Sequence, residues 1–173
     1  MRSTTATLLV LGTVLAGPWG TAAAQPPAAP PPPPPATALL TLTTMPNGWQ
    51  SRTDLRAQLE VFADGRAVKV PDATAPTRDP NTPPQRIGGH IPTDVLAASV
   101  AETKSLAAVD LGTPGATDQG SQIIDLLPQQ PDQDVHVVMY APDATEGLSA
   151  EQQAARKRFA DLFRKLLDSF VKD

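Results

Sequence analysis

The chain has 173 residues, of which 20 are proline, none is cysteine and 4% are aromatic. The absence of cysteine excludes disulfides, thiolate metal sites and a cysteine nucleophile. The formal charge of −4 at pH 7 disfavours non-specific nucleic-acid binding, so no nucleic-acid partner is expected. The length suits one folded domain, and its core must consist mainly of aliphatic side chains.

Residues 1–24 have the pattern of a cleavable signal peptide. Arg2 supplies a positive start, residues 6–17 form an apolar run, and Ala22-x-Ala24 fits a signal-peptidase site that cuts after Ala24. The run is shorter than the stretch needed to cross about 30 Å of hydrocarbon, so no membrane span is expected in the mature chain. The sequence therefore predicts a secreted or extracytoplasmic protein.

A proline-rich linker follows at residues 25–38, and it includes six consecutive prolines, Pro30–Pro35. Proline fixes φ and lacks an amide donor, which favours an extended polyproline II rod. Such a rod either docks a proline-binding module or spaces the domain from the envelope, and composition does not separate the two.

Residues 39–173 are predicted to form a single globular α+β domain. Five segments have the alternation or β-branched content of strands, and Asp64-Gly65 is a strong hairpin turn between two of them. The predicted strands are Leu39–Met45, Leu55–Ala63, Arg66–Val70, Ser121–Leu127 and Val135–Ala141.

Two segments have helical periodicity. Thr93–Ala107 is predicted as a helix with Thr93 as its N-cap, and Ser149 with Gln152 forms a capping box that starts an amphipathic helix of about 22 residues. The order β-β-β-α-β-β-α predicts a mostly antiparallel sheet of about five strands with both helices on one face.

Residues 71–92 hold six prolines and little apolar content, which predicts a long irregular loop. Loops of this length inside a compact domain are usually functional or disordered. Arg78 and Arg86 are weak binding candidates within it.

The familiar catalytic and cofactor fingerprints are missing from the sequence, so we expect no enzyme activity, no catalytic residue and no cofactor. The two histidines, His90 and His136, are weak binding candidates. Asp132 and Asp134 alternate with His136 and could hold a divalent ion on an extended strand, but a polar hairpin tip explains the same pattern, so no metal site is predicted. Trp49, beside Gly48, would be a binding anchor if exposed and is otherwise folded against the sheet edge.

The hairpin Ala63-Asp64-Gly65-Arg66, the strand before it and the helix after it carry a resemblance. The chain resembles uncharacterised exported proteins of high-GC Gram-positive bacteria. Over Leu39–Leu111 its layout is similar to that of emfourin-type proteins, small inhibitors of thermolysin-like metalloproteases. The resemblance implies protease inhibition, and no inhibitory residue is carried over from it.

The leading hypothesis is an exported non-enzymatic domain that binds an extracytoplasmic protein or a cell-envelope component. One alternative is a small secreted hydrolase that uses His136 or His90 with nearby acids. Another is a structural envelope spacer, in which the domain is a folded plug on the proline rod.

Overall fold

The computed structural model describes residues 36–49 and 51–173. The predicted signal peptide and the linker up to residue 35 lie outside the described residues. The strands are β1 (Leu40–Met45), β2 (Ala57–Val61), β3 (Arg66–Lys69), β4 (Ile87–His90), β5 (Ser121–Leu126), β6 (Val135–Tyr140) and β7 (Val171–Lys172). The α-helices are α1 (Thr93–Leu106) and α2 (Ala150–Asp168), and a 3₁₀ turn covers Pro131–Gln133.

The described strands form one seven-stranded sheet in the order β6-β5-β1-β2-β3-β4-β7. Every neighbouring pair is antiparallel. β1 is the third strand in this order and lies between β2, which follows it in the chain, and β5, which comes much later. The predicted α+β class and antiparallel sheet are confirmed.

One face of the sheet, here called the inner face, is buried beneath the helices. The register places Leu42 opposite both Leu59 and Ile124, and Ile124 opposite Val137, so the four side chains share this face. They are buried in one apolar cluster that also contains residues of α1 and α2, among them Phe159. We call the opposite face, on which neither helix packs, the outer face.

α2 provides the largest buried side chains of the helix layer. Its apolar positions recur at three- and four-residue steps, and Phe159 and Leu166 are completely buried. The Ser149 side chain accepts the Gln152 amide at 3.2 Å, and the Gln152 side chain accepts the Ser149 amide at 2.9 Å, so the predicted capping box is confirmed. The helix has 19 residues, fewer than predicted.

α1 begins at Thr93, and Pro92 occupies the N-cap without a side-chain hydrogen bond. The predicted N-cap role of Thr93 is therefore wrong by one position. Proline fits at this boundary because the nitrogen of the N-cap residue donates no intrahelical hydrogen bond, while the Pro92 carbonyl still accepts the Leu96 amide at 2.9 Å.

The structure contains two strands, β4 and β7, that are not among the five predicted. β4 occupies residues 87–90, within the segment 71–92 that was expected to be a loop, and β7 follows α2. The sequence Ile87-Gly88-Gly89-His90 has no alternation that would reveal a strand, and β7 has only two residues. The observed order is consequently β-β-β-β-α-β-β-α-β rather than β-β-β-α-β-β-α.

Gly89 makes the pairing of β4 with β7 possible. A Cβ atom at this position would lie 2.3 Å from the carbonyl oxygen of Val171 and 2.6 Å from Cζ of Phe170. The ring of Phe170 therefore packs directly against the glycine backbone, and the ammonium of Lys69 lies 5.6 Å from the centre of that ring.

We predict that Gly89→Ala destabilises the domain by about 1–3 kcal/mol, the usual cost of overpacking, because the clash with a backbone oxygen cannot be relieved by side-chain rotation. The free energy of unfolding in urea measures the effect. Gly88→Ala is the matched control, since a Cβ at Gly88 meets nothing within 4 Å. Equal stability losses in the two variants would contradict this account.

Candidate functional site

A row of polar side chains crosses the outer face along the register of four neighbouring strands. His136 on β6 lies opposite Asp125 on β5, Asp125 lies opposite Thr41 on β1, and Thr41 lies opposite Glu60 on β2. Directly opposed residues of an antiparallel pair have Cβ atoms about 5 Å apart, so neighbours in the row are in reach of one another. We call these four residues the polar row.

The Asp125 carboxylate joins two members of the row. It accepts a hydrogen bond from the Thr41 hydroxyl at 3.2 Å through Oδ2, and Oδ1 accepts from Nδ1 of His136. This contact orients the exposed imidazole and leaves its Nε2 without a partner among the described residues. At the other end of the row, Nη2 of Arg86 donates to Oε2 of Glu60 at 2.6 Å.

In nucleophile-activating triads, too, the aspartate bonds to Nδ1 of the histidine and leaves Nε2 available. In such a site the hydroxyl bonds to the imidazole, which removes its proton. Here the hydroxyl of Thr41 bonds instead to the Asp125 carboxylate, and no hydroxyl in the described part of the chain is bonded to Nε2 of His136. The hydroxyl of Thr41 is therefore not placed for activation by His136.

His90 is remote from His136. It lies on β4, so four strands intervene, and about 4.8 Å for each strand step places the two strands about 24 Å apart. Its Nδ1 is 3.3 Å from Oδ1 of Asp173 at the far edge of the sheet. The structure does not bring the two histidines of the hydrolase alternative into one site.

Trp49 and Arg78 meet in a buried cluster rather than on an exposed surface. Trp49 is 8% exposed, and the guanidinium carbons of Arg52 and Arg78 lie 4.1 and 5.3 Å from its ring centroid. Cations over an aromatic face are attracted by the ring's quadrupole, and the attraction grows when water is excluded. Of the two possibilities weighed for Trp49, the structure therefore shows the buried one.

The carboxylate of Asp54 completes this cluster. Arg52 donates to both of its oxygens, at 2.7 and 2.6 Å, and Nη2 of Arg78 donates to Oδ2 at 2.6 Å. Arg78, whose side chain is 2% exposed, also donates to the backbone oxygens of Ala73 and Asp54. The arginine thereby fixes residues 73–78 against the segment that precedes β2, a role that no local pattern in the sequence indicated.

Arg156 lies on α2 and is buried. Its guanidinium donates to the backbone oxygens of Leu111, Tyr140 and Ala141 at 3.3, 2.8 and 2.5 Å. Burial lowers the pKa of Arg156 below its ordinary value. These bonds hold the end of β6 and the segment after α1 against α2.

A groove of about 250 Å³ runs beside β6, which is an edge strand of the sheet. It is lined by His136, Val137 and Val138 of β6 and by residues 106–107 and 109–113, which we call its wall. The side chain of Val138, on the outer face beside the polar row, is 41% exposed.

A second groove, of about 630 Å³, lies at the end of the sheet where the chain enters β1. Leu39, Phe62, Leu127 and Pro128 supply its apolar lining, and its charged residues are Asp64, Arg66 and Asp134. Asp134 therefore lies by this groove. Across residues 36–49 and 51–173, no three His, Asp or Glu side chains are grouped closely enough to hold a metal ion.

We predict that Arg78→Ala lowers the free energy of unfolding by about 3 kcal/mol, as expected when one partner of a buried ion pair is removed. Limited proteolysis should also become faster within residues 71–86. Arg86→Ala is the control, because an exposed pair contributes at most about 1 kcal/mol. Equal effects of the two substitutions would contradict the structural role assigned to Arg78.

A pH dependence follows from the same cluster. Hydrogen bonds from Arg52 and then Arg78 hold the pKa of Asp54 well below its ordinary value of 3.8. Because the folded pKa is the lower one, this contribution is fully present above about pH 4 and is lost as the pH falls toward the folded pKa. The urea midpoint of unfolding should therefore drop further between neutral and acidic pH in the wild type than in Asp54→Asn. Parallel pH profiles would contradict the assignment.

Among the described residues no helix is both long and apolar enough to cross a bilayer. Comparison with protein-family models, with curated proteins and with solved structures found no match to this chain. The similarity in layout to emfourin-type inhibitors accordingly stays a prediction, and the case for function depends on the geometry described above.

Proposed function

We propose that this chain is an exported, non-enzymatic binding domain that recognises a protein or a cell-envelope component outside the cytoplasm. The observation that carries the proposal is the uncovered outer face of the sheet. It combines an exposed apolar side chain, Val138, with oriented polar groups of the polar row, and neither helix packs on it. Recognition surfaces commonly combine apolar contact area with a few fixed hydrogen-bonding groups.

The ordering of the polar row supports binding because its groups are already held in place. The Asp125 carboxylate is fixed by Thr41 and His136, and the Glu60 carboxylate is fixed by Arg86. A surface whose side chains are ordered before binding loses less conformational entropy when a partner docks. The remaining hydrogen-bonding capacity, including Nε2 of His136, points away from the protein.

Ile123 lies opposite Val138 on the outer face. We predict that Ile123→Lys weakens retention of the partner at least about tenfold, because it places a charge beside Val138. The experiment incubates the immobilised mature chain with culture filtrate and envelope extract of the producing cells, and compares the recovered proteins by mass spectrometry. A thermolysin-like metalloprotease is added as one defined candidate, because of the similarity in layout to emfourin-type proteins.

Ala97→Lys is the matched control, since it adds the same charge on the exposed side of α1. A partner retained by the wild type and by Ala97→Lys, but lost from Ile123→Lys, supports the proposal. Equal retention by all three chains, or no partner retained by the wild type, would overturn it.

A further inference from the structure

The two edges of the sheet are built differently. The β7 edge has two residues, Val171 and Lys172, and is followed by Asp173, so it is short and charged. The β6 edge has six residues, VHVVMY, with neither lysine nor proline. Short or charged edges discourage pairing with other strands, whereas a longer edge without such features accepts it. Of the two, the β6 edge is therefore the one suited to bind a further strand.

The hydrogen-bonding pattern shows which backbone groups of β6 face outward. The Ala141 amide donates to the Gly120 carbonyl oxygen at 2.8 Å, and antiparallel bonding alternates along a strand. Val137 and Met139 therefore bond to β5, while His136, Val138 and Tyr140 direct their backbone groups to the open side. The Tyr140 oxygen accepts from Arg156, and the amides and carbonyls of His136 and Val138 have no partner within the described residues.

Residues 109–113 of the wall of the groove are hydrogen-bonded to side chains of α2. Nη1 of Arg156 donates to the Leu111 oxygen at 3.3 Å, Oδ1 of Asp110 accepts the Gly112 amide at 2.8 Å, and Oδ2 of Asp110 accepts from Gln152 at 2.8 Å. The wall is thus tied to α2 by two separate side chains. A groove with one fixed wall and one strand edge needs little rearrangement to accept an extended chain.

We propose that the β6 edge binds an extended polypeptide segment of the partner protein as an additional antiparallel strand. The segment's main chain bonds to the amides and carbonyls of His136 and Val138, the known mode of β-strand addition. An apolar side chain of the segment packs on Val138, and a hydrogen-bonding side chain meets Nε2 of His136. This inference rests on the proposed function and names the class of partner.

A second copy of the chain fits this edge less well than a single strand. Residues 109–113 flank the β6 edge, and pairing of two β6 strands would bring two such walls to the same side of the joined sheet. The occupant is therefore an extended segment of a different protein.

The test uses the mature full-length chain and a displayed library of random linear peptides, from which binders are selected. Selected peptides are then synthesised and their Kd values are measured. Amide hydrogen exchange of the free and peptide-bound wild type follows His136 and Val138. We expect both amides to become protected on binding, because each gains a main-chain acceptor.

Val138→Pro removes one outward amide while leaving the bonds of Val137 and Met139 to β5 in place, and edge strands tolerate such a proline. We expect it to weaken peptide binding at least about tenfold, since the peptide's carbonyl is left without a donor. Lys172→Pro is the matched control, because it places a proline at an outward-facing amide of β7, the opposite edge of the sheet, and it should change Kd by less than about threefold.

Protection of both amides together with the selective loss in Val138→Pro supports the proposal. Peptides that bind Val138→Pro as tightly as the wild type, or that leave both amides unprotected, overturn it, as does a library that yields no binder. Concentration-dependent protection without peptide would show self-pairing and would also overturn it. If only Ile123→Lys abolishes binding, edge pairing is overturned while recognition through the outer face stands.

Discussion

The apolar contact between α2 and the inner face of the sheet is the interaction on which the rest of the structure depends. Phe159 and Leu166 are completely buried, in the same cluster as Leu42 and Ile124. Burial of one such side chain contributes about 1.5–3 kcal/mol, and in a chain with 4% aromatic residues the rest of the buried core is mainly aliphatic. Because both helices pack on this one face, neither helix covers the outer face of the sheet.

Two buried arginines connect segments of the chain through hydrogen bonds, in addition to the contacts of the apolar core. Arg78 ties the segment after β3 to Asp54 and Trp49, and Arg156 ties β6 and the wall of the groove to α2. The planar guanidinium has five donors in a fixed arrangement, which suits it to satisfy several carbonyl oxygens at once. The two residues act on different parts of the molecule: one orders a long connection, and the other shapes the proposed binding edge.

Features determined by neighbouring residues were predictable from the sequence, and features that need distant segments to meet were not. The Asp64-Gly65 hairpin and the Ser149–Gln152 capping box depend on local hydrogen bonds and on a positive φ of +86° at Gly65, so both could be recognised. β4 was missed because two glycines remove the alternation of side chains. The Trp49–Arg78 cluster requires two loops to converge, and the burial of Arg156 requires contact with the end of β6. The periodicity of apolar residues along the sequence indicates neither contact.

The place of β1 in the sheet has a consequence for how the chain folds. Thr41 and Asp125, which pair across β1 and β5, are separated by 84 positions in the sequence. The meander β1 to β4 and the hairpin of β5 and β6 can each form from nearby residues, whereas joining them requires closure of a long loop with its entropic cost. Until that closure, one long edge of β1 and one of β5 are both unpaired. We expect this docking step to limit the folding rate, and the partly folded halves to be the species most prone to aggregate.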